Sequence, residues 1–263
     1  LSPSDLVDRS FGPLPFRVCV EKVSDFVAAT KDDPERWRDA APPGFMAAAL
    51  FVVASDLLRQ LSEHSVIHGE QTFTWHRPLR MESQLEVTGV VTRVRERGGV
   101  SFVDFVVEVS GAEGPVAESA SSFLISGDFA PGAGGEGHAE PAPEDDGSPG
   151  PGQLAASRAD LVRYAAATRD WNPIHWDHDA AVAAGLPGVV AHGLLQAGWA
   201  FVAASGLRPG DLPLRSAKVR FRNPLLPAVP VSVAIEMGES GADVAIADAD
   251  VEYLRARIEF TDR

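Results

Sequence analysis

Three stretches of this chain occur twice in the same order, and a duplicated chain has few folds open to it. Ala29-Thr30-Lys31-Asp32-Asp33-Pro34-Glu35-Arg36-Trp37 aligns with Ala167-Thr168-Arg169-Asp170-Trp171-Asn172-Pro173-Ile174-His175-Trp176, with one residue fewer in the first copy. Pro43-Gly44-Phe45-Met46 matches His192-Gly193-Leu194-Leu195, and Phe73-Thr74-Trp75-His76-Arg77-Pro78-Leu79 matches Val219-Arg220-Phe221-Arg222-Asn223-Pro224-Leu225. Chance explains one such match but hardly a collinear series, so the chain reads as two copies of one unit.

The same local order is legible in each half. Residues 45–61 are apolar nearly all round, which predicts a helix buried on most faces, and residues 193–205 are their counterpart. β-rich runs follow, at 71–76, 82–94, 100–109 and 116–125, then at 215–222, 229–237, 242–247 and 251–260. An antiparallel sheet wrapped around one buried helix is the simplest way to cover such a helix. Two copies side by side make an α+β pseudo-dimer within one chain.

Residues 127–152 separate the halves with eight glycines, five prolines, six acidic residues and no Lys or Arg among 26 positions. Such a stretch cannot bury enough apolar surface to offset its ordering entropy, so a disordered acidic linker is expected. The expected domains are 1–126 and 153–263, and the motifs below make the second the catalytic one and the first its non-catalytic partner. The formal charge of −14 opposes nucleic acid and anionic membranes, although the linker accounts for six of those charges. Cys19 is the single cysteine, which excludes an internal disulfide and fits a reducing, cytoplasmic setting. The longest apolar run, residues 45–58, is too short to span a bilayer, and no charged-then-apolar leader is expected at the start.

Residues 164–198 carry the chemistry. Ser157 with Asp160 forms a capping-box pattern for a helix reaching about Thr168, after which Asp170 falls in the connection. Asn172-Pro173 predicts a second helix from about 173 to 184, stopped by Gly185, with His175 in its first turn. A carboxylate and a neutral imidazole brought together by a tight loop can hold and deprotonate one water. Beyond the turn at Leu186-Pro187-Gly188, His192-Gly193 opens the buried helix, so the Gly193 N–H leaves a positive helix end unobstructed. That placement suits a carbonyl oxygen turning negative in an enolate-like transition state.

The pattern Asp170-Trp171-Asn172-Pro173-Ile174-His175-Trp176-Asp177, Ala180 to Gly185, then Val190-Ala191-His192-Gly193 resembles the MaoC-like, (R)-specific enoyl-thioester hydratases and dehydratases. The first half, with Phe11-Gly12, Ala41-Pro42-Pro43, Ile67-His68-Gly69-Glu70 and His76-Arg77-Pro78, is similar to the partner domains of double hot-dog members. The resemblance implies a double hot-dog fold and a hydro-lyase with Asp170, His175 and Gly193 as catalytic groups. It implies an acyl-CoA or acyl-carrier-protein thioester as substrate, with neither cofactor nor metal. Asn172, Gly188 and His192 border these groups and are assigned to substrate binding, although for His192 a satisfied histidine at the helix start is favoured over direct acid–base work. Arg169 stands where many members have glycine. In the first half Arg36 stands in the place of His175, so Asp32 lacks an imidazole partner and one active site per chain is expected.

Other residues have plainer readings. His178 reads as an exposed helix residue rather than a metal ligand, and His68 and His76 as structural. Arg77, Arg80, Arg220 and Arg222 are candidates for phosphate contact, with a solvated strand face as the commoner role. A hot-dog thioesterase and a non-catalytic acyl-thioester binding subunit remain the alternatives, and further association of chains is open.

Overall fold

The structure, a computed structural model, describes residues 2–61, 64–126 and 149–262. Most of the expected linker, residues 127–148, lies outside them. The first half runs β1 (Ser10–Arg17), α1 (Val20–Thr30), α2 (Met46–Gln60), then β2 (Ser65–Trp75), β3 (Gln84–Arg97), β4 (Val100–Gly111) and β5 (Gly114–Ser126). The second runs β6 (Gln153–Leu154), α3 (Arg158–Thr168), α4 (His178–Ala183), α5 (Gly193–Ser205), then β7 (Leu214–Phe221), β8 (Val231–Met237), β9 (Gly241–Ala247) and β10 (Glu252–Phe260). The eight expected strands are present. β1, α1 and β6 are additions to the expected set.

The architecture is a double hot-dog. Its strands form one antiparallel sheet of ten, in the order β1-β3-β4-β5-β2-β7-β10-β9-β8-β6. The expected two sheets are therefore joined edge to edge, by β2 and β7, with Gln71 opposite Val219 and Phe73 opposite Ala217. Pairing these two strands satisfies the N–H and C=O groups that each half alone would leave at an open edge.

Each sheet half curls around its own central helix. Every residue from 46 to 54 of α2 is buried, and α5 is buried along 194–201. The halves share one core, because Phe201 of α5 meets Phe73 and Trp75 of β2 edge-on at 5.7 and 5.5 Å. Close approach across this boundary requires small residues: a Cβ on Gly198 would stand 2.7 Å from Thr30 Cγ2, and one on Gly44 would stand 3.4 Å from the Phe201 ring. Among the described residues no helix is long and apolar enough to cross a membrane.

α1 and α3 are pseudo-equivalent, 11 residues each, and pack on one another with Phe26 and Tyr164 rings 5.5 Å apart. Ser157 caps α3 in the expected box, its hydroxyl taking the Asp160 N–H at 3.1 Å while the Asp160 carboxylate takes the Ser157 N–H at 2.9 Å. The same carboxylate accepts from Lys31 Nζ, in the first half, at 2.7 Å. Although burial opposes its charge, these donors hold the Asp160 carboxyl below its ordinary range. That stabilisation is present above the unfolded carboxyl's pKa and is lost as pH falls through the folded value. Asp160→Ala should therefore cost about 1–3 kcal/mol at pH 7, the usual cost of leaving buried hydrogen-bonding groups unpaired. In thermal melts, the difference from wild type should persist at neutral pH and shrink below about pH 4.

Candidate active site

Asp170, His175 and His192 converge, each offering an oxygen or ring nitrogen within 4.8 Å of the others. Local chemistry brings the first two together. α3 ends at Arg169, whose backbone turns left-handed (φ 69°), and the chain reverses. Asn172 Oδ1 then accepts from the Ile174 N–H at 3.4 Å, capping a single 3-10 turn, Pro173–His175. The helix expected over 173–184 is interrupted here. Trp176 leaves helical geometry and Asp177 starts α4 afresh, its carboxylate accepting from the Ala180 N–H at 3.0 Å. Gly185 ends the segment with φ 76°, as expected of a helix stop.

The tautomers follow from the partners. His175 Nδ1 lies 2.9 Å from the Val190 carbonyl, which can only accept, so Nδ1 carries the hydrogen and Nε2 keeps its lone pair. The Val190 carbonyl is held in turn, because the Val190 N–H donates to Ile174 O at 3.1 Å and the Ala191 N–H to Leu225 O at 2.7 Å. His192 is fully buried and donates from Nε2 to the Asp170 backbone carbonyl at 3.2 Å. Its ring stacks on that of His175 at 3.8 Å and 25°. Imidazole lone pairs lie in the ring planes, so two stacked rings cannot both aim at one ion. The geometry suits proton handling better than a shared metal.

Asp170 and His175 are each 8% exposed, more enclosed than a loop and a helix start would suggest. Burial pushes the Asp170 carboxyl up, opposed by the His175 charge and the Asn172 N–H, which reaches Oδ1 only at 3.5 Å. Burial pushes the His175 imidazolium down against the pull of Asp170. His192 is pushed well down by burial and then by His175, and so stays neutral. Beneath it lies Tyr164, its ring 4.9 Å from His192; its hydroxyl and His192 Nδ1 are buried without a partner among the described residues. Burial and the Asp170 charge hold that phenol protonated. Tyr164 and the Val190 carbonyl are absent from the expected site residues, since neither carries a local signature in the sequence.

Gly193 begins α5 where expected, and its N–H finds no acceptor among the described residues. A Cβ there would come within 2.8 Å of the Phe221 ring, so close packing also requires this glycine. Gly188 is buried, and a Cβ on it would meet the His178 ring at 3.5 Å; His178 itself is exposed, as expected. His68 sits between the Phe123 and Phe221 rings at 4.8 Å from each, and burial pushes it down to about 4. His76 contacts Glu118 at 2.9 Å.

The first half lacks this arrangement. Asp32 spends both oxygens within the chain, accepting from Trp37 Nε1 at 2.7 Å and from the Asp33 N–H at 2.8 Å. Arg36 donates to the Arg208 carbonyl at 2.7 Å, and Trp75 Nε1 donates to Pro43 O at 3.1 Å. The four candidate phosphate arginines are committed elsewhere: Arg77 to Glu113, Arg80 to Asp211, Arg220 to Glu70 and Arg222 to Glu252.

Comparison with known proteins follows the same division. A MaoC-like domain family matches residues 146–253, and a FAS1-like dehydratase domain region matches residues 5–118. A UPF0336 protein of Clavibacter michiganensis is 34% identical over 135 residues, 44% of this chain and 89% of that protein. 3-Hydroxyacyl-thioester dehydratase X of Mycobacterium tuberculosis is 29% identical over 189 residues, 68% of this chain and 62% of that one. The crystal structure of HtdX from Mycobacterium tuberculosis superposes with a TM-score of 0.75 at 24% identity, over 93% of this chain and 97% of that one.

A raised carboxyl pKa means that the folded state keeps its proton to higher pH than the unfolded chain, so above that range the Asp170 charge costs stability. Asp170→Asn removes the charge and should melt at a higher temperature than wild type at pH 7. The gap should close as pH falls through the carboxyl range, and a lower midpoint at pH 7 would contradict the buried-charge account.

Proposed function

This chain belongs to the MaoC-like double hot-dog dehydratases and is a hydro-lyase, and we propose that Asp170 and His175 are the pair that handles its water. The reaction is hydration of a 2-enoyl thioester or dehydration of an (R)-3-hydroxyacyl thioester. The observation that carries the assignment is the His175 tautomer: with Nδ1–H tied to the Val190 carbonyl, Nε2 is the nitrogen able to take a proton. Asp170, with one long hydrogen bond on its carboxylate, retains accepting capacity for the same water.

In the hydration direction, the water oxygen bonds to C3 of the enoyl group while its proton passes to the Asp170–His175 pair. The electrons of the C2–C3 double bond move toward the thioester carbonyl, whose oxygen becomes negative. The Gly193 N–H, at the positive end of α5, stabilises that oxygen. The proton then returns to C2, completing addition of water without a net proton change. Dehydration is the reverse. Asn172 supports the loop, while His192 supports Asp170 from below through its carbonyl and keeps the His175 ring oriented. Gly188 shapes the wall on the α4 side.

The domain proposal follows the asymmetry of the two halves. Residues 153–263 carry catalysis, residues 1–126 serve as the partner within an intrachain pseudo-dimer, and residues 127–152 link them. The substrate is an acyl thioester on coenzyme A or a carrier protein. The single cysteine supports a reducing, cytoplasmic setting.

Crotonyl-coenzyme A tests the reading directly, with enoyl absorbance and thiol release followed together. Hydration without thiol release is expected; thiol release without hydration would transfer the chain to the thioesterases. Asp170→Asn and His175→Ala should each lower kcat by about 10²–10⁴-fold, the usual contribution of general acid–base groups. Asp32→Asn should leave the rate near that of wild type, because its carboxylate is spent on Trp37.

A further inference from the structure

The internal duplication provides a control for one ionic contact. In one copy the residue that ends α1, Lys31, reaches the third residue of α3, Asp160, at 2.7 Å, and Arg163 approaches the same carboxylate at 3.6 Å, so the cation there has its counter-charge. The equivalent pair in the other copy is Arg169, which ends α3, and Lys22, the third residue of α1. Here both members are cations. Among the described residues neither has a carboxylate within 4 Å, and both line a cleft of about 190 Å3 between the halves. Arg17 also borders the cleft, but Glu82 already pairs with it.

The contrast extends to the cap. Ser157 and Asp160 satisfy the start of α3 with side chains, whereas Cys19 gives α1 no side-chain cap. The Val20 N–H has only a 3.4 Å contact with Glu82. The carboxylate that closes one copy is thus missing from the other, and the chain puts a lysine in its place. Lys22 is pushed below its ordinary range by burial and then by the Arg169 charge. Both helices end on a left-handed cation, Lys31 at φ 58° and Arg169 at φ 69°, so the copies differ in the partner and not in the cap. Asp25 and Cys19 offset the Lys22 charge only in part, so two cations lining one cleft favour an anion from outside the chain.

We propose that Lys22 and Arg169 form a binding site for a phosphate-class oxyanion, one residue from Asp170, in the place occupied by the Asp160 carboxylate in the other copy. Guanidinium and ammonium groups converging on a cleft match the donor needs of phosphate. The phosphate can arrive on the thiol carrier of the thioester or as the free ion. The first source rests on the hydro-lyase reading above; the binding itself does not.

The test uses the full chain and inorganic phosphate, with sodium chloride at matched ionic strength as reference. Lys22→Asp recreates the closed copy, since aspartate at the third helix position can pair with Arg169 and suits the helix N-terminus. Lys22→Met removes the charge without building a pair. Wild type should show a melting temperature that rises with phosphate beyond the chloride reference. Both variants should bind phosphate about tenfold or more weakly, the loss expected of one charge-assisted contact. Lys22→Asp should melt above wild type when phosphate is absent. No phosphate response in wild type, or equal responses in all three proteins, would overturn the proposal. The kinetic arm assigns the source. A KM raised in the variants for crotonyl-coenzyme A but not for the phosphate-free crotonyl N-acetylcysteamine thioester identifies the phosphate of the carrier. Unchanged KM for both substrates, with phosphate binding lost, identifies the free ion.

Discussion

The pairing of β2 with β7 is the contact on which the rest of this molecule depends. Each half curls a sheet around one helix that is apolar on almost every side, and neither half has enough strands to cover its helix and also protect its own edge. Joining the two edges gives one sheet of ten strands and places Phe201 of one half against Phe73 and Trp75 of the other. The same junction seats α1 on α3, so the reactive loop that follows α3 is built on an interface between the copies. The geometry of the proposed site is therefore a property of the joined pair.

The two copies treat equivalent positions differently. In the second half Asp170 is enclosed with few donors and faces a neutral histidine, a costly arrangement that leaves a carboxylate able to hold water. In the first half the equivalent carboxylate is quenched by an indole, and arginine replaces the imidazole and turns to a backbone carbonyl. One copy leaves its carboxylate with a single long hydrogen bond, and the other spends the equivalent carboxylate on its own loop.

Legibility in the sequence followed the range of each interaction. Asp170, Asn172 and His175 lie within six positions, and capping rules alone place them on one tight loop. The Val190 carbonyl and His192 act on that loop across 15 and 22 residues, and hydrogen bonds at such separations leave no periodic trace. α1 is legible in principle, because Val23, Phe26, Val27 and Thr30 follow helical spacing, yet the more apolar helix after it dominates the pattern of the first half. β1 is obscured by Gly12, Pro13 and Pro15, which argue locally against a strand. The break at Trp176 is hidden by a Pro173 start and a Gly185 stop that together suggest one continuous helix, whereas Asp177 caps a new one. The arginines weighed for phosphate contact, for which a solvated strand face is the commoner reading, pair with carboxylates on neighbouring strands and loops, a matter of register that sequence alone does not reveal.

The central claim is that a duplicated pair of sites has become one working site per chain, built around His175. Calorimetric titration with an unreactive thioether analogue of 3-hydroxybutyryl-coenzyme A counts those sites directly. The account predicts one analogue bound per chain, with affinity weakened by His175→Ala and indifferent to Asp32→Asn. Two analogues per chain, or one whose affinity follows Asp32 rather than His175, would contradict it.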